Sequence, residues 1–125
     1  MFGRFTKNIK PHVEAELAIA RIANKNGDSV LAFKHLENAH VLGQESTYFH
    51  VKVHFLMLCW AIKEHDLREL LGQVFRVVGA ATKTAFGFIP SGNTGGSNVS
   101  PFKVMPISLE HENHIARAKT GLKTR

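Results

Sequence analysis

One cysteine in 125 residues, Cys59, excludes an internal disulfide framework and any thiolate-rich metal cluster. That scarcity fits a reducing compartment, and a cytoplasmic protein is expected. Long hydrophobic runs are missing too. The longest, Phe55 to Ile62, stops at Lys63, well short of the roughly 20 residues a membrane span requires. The first residues set Phe2 and Phe5 among Arg4, Lys7 and Lys10 without an apolar stretch, so no secretory signal is read there. Acidic residues are absent from both ends. Residues 1–10 hold three Lys/Arg and residues 115–125 hold four, which leaves nine basic residues against ten acids in 11–114, a net of −1 within a chain of +6. A nucleic-acid surface would interleave aromatic and basic residues, and neither tail does so. Basic ends on a near-neutral body read as solvated tails, and nucleic acid is not an expected partner.

What remains is an ordinary globular composition, 44% hydrophobic and 21% charged, enough for one domain with a real core. Caps and breakers place five helices. The first begins near Pro11 and ends before Gly27; the second starts after Asp28 or Ser29 and ends at Gly43, read as a left-handed cap. The third runs from near Ser46 to about Glu64. The fourth opens with the capping-box pattern Asp66-Leu67-Arg68-Glu69 and fades before Gly87. Gly72 and Gly79 inside it suggest a close helix approach. A weaker helix spans about Ser108 to Lys119, after a Gly/Ser/Asn/Pro-rich loop over 90–106. The expected organisation is a basic arm (1–10), one helical domain (11–107, including the loop), and a C-terminal helix with basic tail (108–125).

An internal repeat underlies this pattern. Gly27-Asp28, Ala32, Leu36 and Ala39 fall at the spacings of the central part of a tetratricopeptide motif, where small residues let helices pack closely. The second copy is degenerate: Asp66 lies 38 residues after Asp28, with Leu70 and Val77 in place of the alanines. The fold expected is all-α, two antiparallel helical hairpins, tetratricopeptide-like or a four-helix bundle, plus the loop and a short C-terminal helix. Two repeats are fewer than a stable stack needs, so the last helix or the loop must cover an exposed end.

Histidine is the abundant functional residue, with eight copies. His12-x3-Glu16 and His50-x3-His54 each stack on one helical face, opposite the wet faces marked by Glu14, Arg21 and Lys25 and by Lys52, Cys59 and Lys63. The repeat offset maps His12 onto His50 and Glu16 onto His54, and His40 returns to the same end from the second helix. The expected metal site is therefore His12, Glu16, His40, His50 and His54. Imidazoles with a carboxylate suit zinc or iron first, with copper, nickel and manganese also compatible, and do not suit calcium. Glu37-x2-His40 copies a di-iron carboxylate spacing, but Glu37 rotates to the polar flank of its helix, and inward carboxylates are too few for such a centre. The alternative is a buried hydrogen-bond network in which Glu16 holds several histidines without metal. No separate general base stands out, His35 being distant, so no enzymatic activity is assigned.

The segment Ser91-Gly92-Asn93-Thr94-Gly95-Gly96-Ser97-Asn98 resembles an anion cradle but lacks the Gly-Lys-Ser/Thr ending of a P-loop. It reads as a tight loop over the helix ends, with Gly92, Asn93, Thr94, Gly95 and Asn98 as lid or ligand candidates and Phe86, Phe88, Val99 and Phe102 as anchors. The sequon at Asn98 has no route to glycosylation in a cytoplasmic chain. Phe49, Val53, Leu56 and Trp60 form a second stripe on the third helix and read as core. Cys59 points away from the histidines.

These segments also carry a resemblance. Pro11-His12, Ala15-Glu16-Leu17, His35-Leu36-Glu37, Ala39-His40-Val41-Leu42-Gly43-Gln44, His50-x3-His54, Leu71-Gly72-Gln73, Gly92-Asn93-Thr94-Gly95 and Asn98-Val99-Ser100 are similar to those of a small bacterial family of unknown function, over roughly residues 11–107. The resemblance implies that the histidines and the loop are family motifs and supplies no reaction. Two functions are left standing: a metal protein for homeostasis, delivery or sensing, and a tetratricopeptide-like module that binds a protein partner.

Overall fold

In the computed structural model of the chain, residues 3–86 (side chains through 79), 94–97, 99 and 103–121 are described. Five helices follow in order, α1 Arg4–Lys25, α2 Ser29–Gly43, α3 Thr47–Glu64, α4 Leu67–Phe86 and α5 Leu109–Thr120, with no strand among the described residues. The all-α class is as expected. No described helix is long and apolar enough to cross a membrane.

Local chemistry explains the helix ends. Asp28, Ser46, Asp66 and Ser108 each accept a hydrogen bond from the backbone N–H three residues on, at 3.0–3.3 Å, so every helix after the first has a side-chain N-cap. The α1–α2 and α3–α4 turns are built alike. Gly27 (φ 80°) and His65 (φ 56°) both sit in the left-handed region; the next N–H, of Asp28 or Asp66, bonds Ala23 or Ala61 at 2.9 and 3.0 Å. Each of these pairs is 38 residues apart, so the repeat offset survives in backbone detail at the turns.

Two boundary readings and one packing reading change. Helix α1 starts at Arg4, seven residues before Pro11, which lies inside it. Ile9 and Thr6 supply the buried face that extends the helix upstream, and Pro11 leaves only the Lys7 carbonyl without its helical donor. Gly43 is not a left-handed cap; the helix passes through it to Gln44 (φ −65°). A Cβ there would come 2.8 Å from Phe49 Cβ and 3.3 Å from Val13 Cγ2, so the position needs glycine for close approach. Gly72 is also a close-approach position, though for Ser97 of the loop rather than for a helix, whereas a Cβ on Gly79 would meet nothing.

Helix α1 packs on α2, α3 on α4, α2 on α3, and α5 lies on α1 with a smaller contact to α2. The core joins Ile9, Val13, Leu17 and Ala20 to Leu36, Ala39 and Leu42, then to Phe49, Val53 and Met57, with Ala118 from α5. Of the Phe49–Val53–Leu56–Trp60 stripe, Phe49 and Val53 are buried core, while Leu56 and Trp60 are half-buried against it, Trp60 Nε1 donating to Ser29 O at 2.9 Å. Cys59 is exposed.

Candidate metal centre

The α2–α3 corner brings three histidines together. His40 is buried in the last turn of α2; His50 and His54 stand one turn apart on the inner side of α3. Ring centroids lie 4.6 Å (His40–His54), 4.8 Å (His50–His54) and 5.0 Å (His40–His50) apart. One nitrogen from each falls within 4.8 Å of the others, a grouping able to hold a metal ion. Zinc bound at about 2.0–2.1 Å to each nitrogen would draw them somewhat closer.

Hydrogen bonding fixes the chemistry of His54. The amide Nε2 of fully buried Gln73 donates to Glu69 Oε2 (2.6 Å) and to Gly95 O (2.8 Å), both acceptors. Gln73 Oε1 therefore faces His54 Nδ1, at 2.6 Å, and must accept from it. The proton of His54 thus sits on Nδ1, and its Nε2 lone pair points at His40 Nε2, 3.0 Å away. A His40 N–H donates across that gap; a metal ion held by both rings would take the same place. Burial pushes the His54 pKa down to about 4, with the Gln73 hydrogen bond opposing and the Arg76 charge assisting. A neutral imidazole with its outer nitrogen held by a partner is the form that ligates metals.

The loop closes over this corner. Gly95 (φ 84°) lies flat against His40, where a Cβ would approach the imidazole to 2.5 Å. Its carbonyl accepts from Gln73 and from Arg76 (3.1 Å), Arg76 also donates to Val99 O (2.6 Å), and Ser97 N donates to Glu69 at 3.1 Å. Thr94 bonds Glu37, whose carboxyl is raised by burial, lowered by Lys34, raised by Glu69 and lowered by the Thr94 bond. Burial likewise lowers the Arg76 pKa, against the attraction of Glu69. Thr94 and Gly95 therefore do contact the site surroundings; Gly92, Asn93 and Asn98 lie outside the described residues. The expected capping box at Asp66 is half realised, because Glu69 turns to Gln73 and Ser97.

His12 and Glu16 sit elsewhere, on the seam with α5. The His12 ring stacks on His114, centroids 3.7 Å apart and planes 20° apart. Burial depresses the His12 pKa, and His114 adds to that effect. Glu16 accepts from His35 Nδ1 through Oε2 (2.6 Å) and from Asn38 Nδ2 through Oε1 (3.3 Å), and His111 Nε2 lies 3.5 Å from the same Oε1. The repeat register does not bring His12 to His50: α1 packs mainly on α2 and α5 and meets α3 only slightly, and the His12 ring lies on His114 of α5. The residues that sequence reasoning missed are Glu69, Gln73 and Arg76. Their signal was a polar i, i+4, i+7 row on one side of α4.

No curated protein and no solved structure matches the chain. A family described as proteins of unknown function, DUF3703, matches residues 7–115. With nearly the whole helical body covered, the chain belongs to that family.

Proposed function

We propose that this is a cytoplasmic protein that binds a first-row transition metal through His40, His50 and His54 and serves in metal homeostasis, delivery or sensing. The observation that carries the reading is the convergence of three ring nitrogens within 4.8 Å; one of them, His54 Nε2, presents its lone pair to His40 because Gln73 holds the proton on Nδ1. An all-imidazole set with no sulfur suits zinc or iron, then copper, nickel or manganese. Three protein ligands would leave a fourth position for water or a small ligand. Glu69 and Gln73 would orient His54, and Gly95 would wall the site from solvent. His12 and Glu16 are not needed as ligands.

The alternative, a tetratricopeptide-like interaction module with a structural His/Glu network, draws on the α1–α5 seam. There Glu16 is satisfied by imidazole and amide partners and ties three helices without a metal. The test is metal titration and elemental analysis of untagged protein beside a His50→Ala/His54→Ala variant. The metal reading expects near-stoichiometric uptake by the parent and none by a still-folded variant. A parent that takes up none of the five metals sinks it.

A further inference from the structure

Helix α4 has three sides, and among the described residues only two are occupied. One, with Leu70, Gln73 and Val77, turns to α3, the only helix that α4 contacts among the described residues. The second, with Glu69, Gly72 and Arg76, is held by Gly95, Ser97 and Val99 of the loop. The third carries Leu67, Leu71, Val74 and Phe75, which are 65%, 62%, 49% and 72% exposed. Their spacing, i, i+4, i+7 and i+8, is that of a buried helical seam rather than a solvated face. Helix α5, which could have capped this end of the helical layer, lies on α1 instead. The apolar surface continues onto α3: Val77, beside Val74, shares a groove with Phe55 and Tyr48, and Phe55 is itself half exposed.

We propose that this face pairs with the same face of a second copy of the chain, making a two-fold homodimer through α4. Size argues for that occupant. The five exposed side chains present on the order of 600 Å² per copy, near the largest patch a monomer keeps exposed and approaching the roughly 800 Å² per partner of a stable interface. A two-fold axis matches each patch with itself and needs no separate partner. The four α4 residues include no charge, so antiparallel pairing buries no unpaired ion. Arg68, exposed, stands at the border, where rim charges remain solvated.

Sedimentation equilibrium on the full untagged chain, from about 1 to 50 μM, tests this. The parent is expected at twice 13.9 kDa, and a Leu71→Glu/Phe75→Glu variant at the monomer mass with an unchanged helical spectrum, its dimer dissociation constant raised at least ~100-fold. Should that variant fail to fold, Phe75→Lys alone is expected to be a folded monomer. A parent that is monomeric throughout overturns the proposal, whether or not it binds lipid vesicles. A folded Phe75→Lys protein that stays fully dimeric overturns it as well.

Discussion

Acidification should destabilise the metal-free protein through His54, by an amount that can be worked out. The folded-state pKa is lowered from 6.5 to about 4 by burial, despite the bond to Gln73. The unfolded chain therefore takes up a proton near pH 6.5 while the folded chain resists until near pH 4. The stability tied to the neutral ring is fully present above about 6.5 and is lost as pH falls through the window between the two values. The whole difference corresponds to about 3 kcal/mol, of which about 2 kcal/mol is gone by about pH 5. The assay is urea denaturation followed by circular dichroism, with chelator, at about pH 7.5 and about pH 5. His12, also depressed by burial, adds a loss of the same sign, so the diagnostic quantity is the difference between the parent and His54→Gln. That variant should lose about 2 kcal/mol less than the parent over the interval. Equal losses in the two proteins would refute the burial argument. Bound metal should protect against acid until the imidazoles protonate and release it.

Three further outcomes follow from the same geometry. Gln73→Leu keeps bulk but removes the acceptor of His54 Nδ1 and the donor to Glu69; metal affinity by calorimetry should fall about 10–100-fold. Gly95→Ala puts a Cβ against the His40 ring and strains a backbone at φ 84°, so it should lower the thermal midpoint, by about 1–3 kcal/mol in stability terms, and weaken metal binding as well. Glu16→Gln removes the carboxylate shared by His35, Asn38 and His111. It should cost about 1–2 kcal/mol in chemical denaturation while leaving metal affinity unchanged; weaker metal binding would mean that the two histidine groups communicate.

The parts legible in the sequence are those set by local chemistry. Asp28, Ser46, Asp66 and Ser108 announce helix starts because only short polar side chains cap there, and the 38-residue offset reappears in the two turns. His50 and His54 share a face by helical rotation alone, and His40 follows from α2 ending where α3 begins. The rest depended on which elements become neighbours. The offset assigned His12 and Glu16 a height without a partner, and α5, short and polar, gave little sign that His111 and His114 would meet them. Gly43 has the position of a left-handed cap, and only the approach of Phe49 reveals its steric role. Glu69, Gln73 and Arg76 form a polar row whose partners, His54 on α3 and Gly95, Ser97 and Val99 in the loop, no local pattern specifies. Gly95 has meaning only against the His40 ring.

The central claim, that His40, His50 and His54 form a metal site, is tested most directly by X-ray absorption on zinc-loaded protein at one equivalent. The account predicts three imidazole nitrogens at about 2.0–2.1 Å, with the imidazole multiple-scattering pattern lost in the His50→Ala/His54→Ala variant. Zinc held by fewer than three imidazoles, or an unchanged spectrum in the variant, would contradict it.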